Sequence, residues 1–252
     1  VQTFDSNGIE IAFIDEGSHA GDPVLLIHGF ASNVGTNWVD PGWVSTLTGA
    51  GCRVIAYDNR GHGRSAKLYD TALYGAPLMA EDARALLDHL KIARADVIGY
   101  SMGARIAAFL AFAHPARVRS LTFGGLGINM VRGIAGTGPI AHALEASSIE
   151  EVGNPTARTF RAFAEQTKSD LKALAACIRS SRAPITAEAL SKLLCPVLVA
   201  VGELDVIGGS AQALADIIPG AKAVEIPRRD HNRAVGDRVF KQAVLDFLAA
   251  RA

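Results

Sequence analysis

What most restricts the possible folds of this chain is an alternation. Short apolar, β-branched runs are separated by longer stretches with helical periodicity. The runs occupy residues 24–27, 53–57, 96–99, 120–123, 197–201 and 223–226. Apolar at successive positions, such strands bury both faces, which suits the centre of a parallel sheet covered by helices. Between them, 79–90 carries apolar residues at Ala83, Leu86, Leu87 and Leu90 with charges elsewhere, an amphipathic pattern. Residues 102–113 are small and apolar nearly all round and stop at His114-Pro115, where a helix must end. The stretch 240–250 closes the series with Val244, Phe247 and Leu248 on one face. At the other end, Ser6-Asn7-Gly8 before an alternating 9–14 predicts a hairpin. The expectation is an α/β fold, a mostly parallel sheet flanked by helices, forming a single domain over 1–252.

One region interrupts the rhythm. From about 126 to 194 there is no strand pattern, only helix starts at Asn154-Pro155, Ser169-Asp170 and Thr186. This predicts a helical cap inserted over the C-terminal edge of the sheet. A 252-residue chain with 49% apolar residues buries a core without disulfides or metals. Twenty-five basic and 25 acidic residues leave no net charge, so nothing favours nucleic acid or an anionic membrane as partner. No run reaches the roughly 18 apolar residues of a membrane span, and residues 1–8 show no basic segment leading into an apolar one. Cys52, Cys177 and Cys195 are unclustered and read as reduced structural thiols. The expected setting is a reducing cytoplasm.

The sharpest motif is Gly99-Tyr100-Ser101-Met102-Gly103, a G-x-S-x-G between a strand and a helix. A serine in so tight a turn takes strained backbone angles, and flanking glycines remove side chains that would collide. Its hydroxyl is a weak nucleophile and needs a base, which needs an orienting acid. Of the seven histidines, His231 is best placed, in the loop after the strand at 223–226. His89 and His114 belong to helices, His19 to an N-terminal turn and His142 to the insertion. Val201-Gly202-Glu203-Leu204-Asp205 offers two carboxylates at a strand end. Asp205, carried farther into the loop, is the expected acid, and Glu203 is expected to satisfy local backbone donors. The loop His28-Gly29-Phe30 presents the Phe30 N–H, and the helix start presents that of Met102. These two are the expected oxyanion donors. His28 itself reads as a structural hydrogen-bonding group.

Taken together, His28-Gly29-Phe30, the segment Asp58-Asn59-Arg60-Gly61-His62-Gly63-Arg64-Ser65, residues 99–103, Gly202-Glu203-Leu204-Asp205 and Asp230-His231 resemble the α/β-hydrolase fold family in kind and in order. The Ser, Asp, His order is that family's, and the resemblance covers nearly the whole chain. It implies a serine hydrolase working through an acyl-enzyme, needing neither metal nor organic cofactor. Serine at the nucleophile position argues against epoxide hydrolases and dehalogenases, which use aspartate there. In the family, the segment from Asp58 to Ser65 is a structural turn, with Asp58 and Arg60 expected to satisfy backbone and each other.

Substrate is less constrained. Phe30, Trp38, Met102, Met130, Phe160 and Phe163 are the expected pocket walls, which suits a small acyl or aromatic ester. The leading expectation is a carboxylesterase. The same triad also serves carbon–carbon bond hydrolases, lactonases and cofactor-free perhydrolases or haloperoxidases, and a small-ligand receptor on this fold is the reading from another class. Asn33-Val34-Gly35-Thr36-Asn37-Trp38 loosely resembles a loop of the carbon–carbon hydrolases but lacks their Gly-Pro-Gly pattern. Arg105 and Arg132 are expected in surface salt bridges.

Overall fold

The computed structural model of the protein describes residues 1–133, 137–180 and 183–250. Its centre is an eight-stranded sheet in the order β1-β2-β4-β3-β5-β6-β7-β8. The strands are β1 (Gln2–Ser6), β2 (Ile9–Glu16), β3 (Pro23–Ile27), β4 (Arg53–Tyr57), β5 (Ala95–Tyr100), β6 (Val118–Gly124), β7 (Val197–Gly202) and β8 (Lys222–Ile226). β1 and β2 form the hairpin, turning at Asn7 and Gly8 with φ of 53° and 85°, the left-handed pair that an Asn-Gly turn favours. β2 pairs antiparallel with β4, and every later pairing is parallel. Each expected strand is present, displaced by at most two residues at its ends.

Alternating residues of these strands face two separate cores. Leu25, Ile27, Ile55, Tyr57, Val97, Leu121, Phe123 and Val199 pack on one side, beneath α2 (Ala76–His89) and α3 (Met102–Ala113). Val24, Leu26, Val54, Ala56, Ile98 and Ala200 pack on the other, against α1 (Trp43–Gly49) and α11 (Arg238–Ala249). This is why the strands read as unbroken apolar runs: both faces are covered.

Between β6 and β7 the described residues form helices: α4 (Asn129–Arg132), α5 (Thr137–Glu145), α6 (Pro155–Gln166), α7 (Leu171–Arg179) and α8 (Ala187–Ser191), with a single 3-10 turn at Ile149–Glu151. Asn154, Asp170 and Thr186 each cap a helix, accepting from the backbone N–H three residues on, as their sequence positions predict. α5, α6 and α7 share an apolar cluster of their own, which closes on Phe30 and Ala31 of the loop after β3. After β7 come two short helices, α9 (Ala211–Ala215) and α10 (His231–Ala234), and the longer α11. No helix among the described residues is long and apolar enough to cross a membrane.

The segment after β4 is structural, by different partners from those expected. Asp58 accepts the N–H groups of Val34 and Arg64, both at 2.7 Å. Arg60 pairs with Asp82 of α2, at 2.6 and 2.7 Å, and not with Asp58. Asp82 also accepts the Ser6 hydroxyl at 2.6 Å, so the pair ties β1, the β4 loop and α2 together. Arg60 is buried, and only a long side chain reaching across to a helix carboxylate can keep its charge compensated there.

Candidate active site

The site forms where the C-terminal ends of β3, β5, β7 and β8 open onto one edge of the sheet. Such edges are where ligands bind in open parallel sheets. Ser101 sits between β5 and α3 with φ 55° and ψ −113°, a conformation that costs a non-glycine residue on the order of 1–3 kcal/mol. The turn is held by its neighbours. The Ser101 N–H donates to the Gly124 carbonyl at 2.8 Å. A Cβ at Gly99 would collide with the Gly103 backbone, and one at Gly103 with the Ile27 carbonyl. Both glycines of the motif are thus close-approach residues: without them the start of α3 could not lie against β3 and β5.

His231 opens α10, whose first turn is capped by the Asp230 carboxylate accepting from Asn232 and Arg233. Its Nε2 lies 3.0 Å from Ser101 Oγ, and its Nδ1 lies 2.7 Å from Asp205 Oδ2. The other Asp205 oxygen accepts the N–H groups of Ile207 and Gly208 at 2.9 and 2.8 Å. Three donors therefore converge on a carboxylate that is almost wholly buried, which fixes its plane and directs one oxygen at the imidazole. Glu203, the competing carboxylate, accepts the Arg228 N–H at 2.7 Å and is exposed. It performs the local backbone role expected of it.

Phe30 and Met102 both border a cavity that Ser101 also lines. The Met102 N–H is at the first position of α3, where no intrahelical acceptor exists. The Phe30 peptide is positioned by its neighbour: the Gly29 N–H donates to Asn37 Oδ1 at 3.1 Å. From the insertion, the Thr167 hydroxyl donates to the Ala31 carbonyl at 2.9 Å, pinning the same loop from above.

A cavity of about 330 Å³ opens beside Ser101 and His231. Phe30, Phe160 and Phe163 line it, together with Ser32, Thr36, Asn37, Tyr100, Val206 and Ile207. Trp38 does not. It is fully buried beneath the loop, edge-on to Trp43 at 5.9 Å between ring centroids. The helical turn Gly35–Val39 directs Asn37 toward the site and the neighbouring Trp38 into the core. Met130 is likewise buried in the core and borders neither cavity that touches Ser101. Arg105, expected in a surface salt bridge, donates to the carbonyls of Met130 and Ala183 instead, while Arg132 is exposed at the end of α4.

Two residues escaped the sequence reading. Tyr100, inside the serine motif, donates its hydroxyl to the His231 carbonyl at 2.5 Å, and its ring lies 5.5 Å from the imidazole. Burial pushes its phenol well above the ordinary value, so it stays a donor. A Cβ at Gly125 would stand 2.6 Å from the Tyr100 ring and one at Gly124 2.8 Å from it, which explains the paired glycines after β6. Asn37 is the other, and no short-range pattern marks either.

Residues 22–135 match the model of the alpha/beta hydrolase fold family. Over its full length the chain also superposes on solved members. A thermophilic esterase from Thermogutta terrifontis is 27% identical, with a TM-score of 0.74 over 98% of this chain and 96% of that one. The bromoperoxidase from Bacillus anthracis superposes with a TM-score of 0.80 at 23% identity, over 98% and 99% of the two chains. These superpositions, with the match over residues 22–135, give the chain the α/β-hydrolase fold. Among curated relatives, the 2-hydroxymuconate semialdehyde hydrolase of Pseudomonas sp. (strain CF600) is 36% identical over 140 residues, 55% of this chain and 45% of that one. The chain spans about a third to a half of the length of the first curated relatives it matches.

Two further histidines of this α/β-hydrolase-fold chain lie buried behind the site. His28 accepts the Asn59 N–H at Nε2 and donates from Nδ1 to the Gly29 carbonyl, and burial lowers its pKa to about 4. His62, with its ring centroid 5.4 Å away, is lowered to about 3 by burial and then by His28. Both values lie below that of an exposed histidine, so between about pH 6.5 and pH 3 the unfolded chain binds more protons than the folded one. Stability contributed by the pair is complete above about pH 6.5 and is lost as the pH falls through 4 and then 3. At about 1.4 kcal/mol for each pKa unit, several kcal/mol are at stake. Thermal melts from pH 7 to pH 4 are expected to fall steeply. In His62→Asn, whose amide can replace the Nδ1–H bond to the Arg60 carbonyl, the slope should be shallower. An identical slope in the variant would remove His62 from the account.

Proposed function

We propose that the protein is a serine hydrolase cleaving carboxylic esters through an acyl-enzyme, with Ser101 as nucleophile, His231 as general base and Asp205 as orienting acid. The observation that carries this reading is the continuous hydrogen-bonded chain from Asp205 through His231 to the strained Ser101 hydroxyl. In this mechanism Asp205 holds the proton on Nδ1, leaving Nε2 free to take the Ser101 proton as Oγ attacks the ester carbonyl. The oxyanion that forms accepts from the N–H groups of Phe30 and Met102, each donor worth about 3 kcal/mol of transition-state stabilisation. Collapse breaks the bond to the alkoxy oxygen, which takes the proton from Nε2 and departs as the alcohol. Water, activated by the same imidazole, then releases the acid and restores Ser101. The insertion over 126–194 acts as a cap: it supplies Phe160 and Phe163 as walls and no member of the triad.

Rapid mixing with p-nitrophenyl acetate tests the proposal. A burst of one p-nitrophenol per chain, followed by steady turnover, is the expected result. Dialysis against EDTA should leave the steady rate unchanged, since each charge in the mechanism is met by a protein group. A burst without turnover would make the protein a slow acyl acceptor, nearer to a receptor than to an enzyme, and the absence of both would end the proposal.

A further inference from the structure

Ser101 stands between two cavities, not beside one. The larger, of about 330 Å³, holds His231, Asn232, Val235 and Phe163. The second, of about 80 Å³, lies on the other side of the serine and is walled by Met79, Met102, Leu126, Cys177 and Ile178. Ser101, Phe30, Phe160 and Ile207 border both, whereas His231 borders only the larger.

That asymmetry assigns the two halves of an ester, an argument resting on the ester-cleaving reading above. The alkoxy oxygen leaves with the proton held on His231 Nε2, so it must come within hydrogen-bond reach of that nitrogen. The alcohol fragment therefore occupies the larger cavity. The carbonyl oxygen is directed at the Phe30 and Met102 N–H groups, and the one remaining substituent of the carbonyl carbon, the acyl chain, points to the side away from His231. There it meets the smaller cavity. At about 80 Å³ against about 330 Å³, this space takes the smaller of the two fragments. We propose that the protein is selective for esters of short acyl groups, from acetyl to butyryl, with bulkier apolar or aromatic alcohols. Cys177, in the wall of the small cavity, limits the acyl length, and Phe163 shapes the alcohol side. Close packing makes such a limit sharp, because an extra methylene in a filled apolar site forces its neighbours off their preferred geometry.

Two substrate series on the intact protein test this. In p-nitrophenyl esters, where the leaving group is constant, kcat/KM is expected to peak between acetate and butyrate and to fall at least tenfold by octanoate. In acetates, replacing methyl by benzyl alcohol should raise kcat/KM. Cys177→Ala should move the acyl optimum one or two carbons longer, and Phe163→Ala should alter the alcohol series. An acyl profile that is flat or rises to octanoate overturns the inference while leaving the hydrolase reading intact. So does an acyl optimum that moves with Phe163→Ala and not with Cys177→Ala, which would exchange the two cavities. Loss of turnover across both series, with p-nitrophenyl acetate included, overturns the hydrolase reading itself.

Discussion

Ser101→Ala is expected to lower ester turnover by roughly six orders of magnitude, the scale on which loss of a triad serine is felt. A serine-directed fluorophosphonate should label the parent protein once, on the peptide containing Ser101, and the variant not at all. Melting temperature should barely change. The hydroxyl donates to no buried backbone group, and an alanine elsewhere in the chain, Ala31, already holds a positive φ of 58°. The variant should therefore remain folded and still bind substrate. Intact mass spectrometry and turnover together give the answer. Labelling at another serine, or turnover that survives the substitution, would remove the nucleophile assignment.

Asp205→Asn is expected to cost about four orders of magnitude in kcat with the fold preserved. The reason lies in the asymmetry of the two carboxylate oxygens. Oδ1 accepts from Ile207 and Gly208, and an asparagine keeps its carbonyl oxygen there. The amide NH2 then replaces Oδ2 opposite His231 Nδ1, and a donor in that place forces the proton onto Nε2, where it blocks the base. Glu203→Gln should change kcat less than threefold, since a glutamine oxygen still accepts the Arg228 N–H. Steady-state kinetics on the two variants decides between the carboxylates, and a reversal of the two effects would make Glu203 the orienting acid.

Much of this was legible in the sequence because it is written locally. A strand buried on both faces shows itself as a β-branched run, a helix start as Asn154, Asp170 or Thr186, and the serine turn as five contiguous residues between strand and helix. Ser101, His231 and Asp205 could be named because each follows a recognisable strand. The errors arose where orientation or a distant partner decides the outcome. Trp38 and Asn37 are neighbours, yet one faces the core and the other the cavity, and no periodicity is defined over so short a turn. Met130 has the composition of a pocket wall, but α4 turns it inward. Arg60 has Asp58 two residues away and pairs with Asp82 on a helix, a choice made by tertiary packing alone. Tyr100 could be read only as a variable position in a motif. Its partner, the His231 carbonyl, lies 131 residues onward.

The strand order has a consequence for how the chain is made. β3 and β5, after which Phe30 and Ser101 follow, lie at the middle of the sheet, whereas β7 and β8, after which Asp205 and His231 follow, are added at one edge and come later in sequence. Domains are assembled as they emerge from the ribosome, N-terminal parts first. A nascent chain thus completes the turn of Ser101 and the loop of Phe30 while His231, the proposed base, is still unsynthesised. On the proposed mechanism, a product ending before residue 231 carries Ser101 without the base that would deprotonate it. Synthesis that stalls before His231 is accordingly expected to leave fragments silent toward esters, and activity is expected only once β8 and the loop after it have joined the sheet.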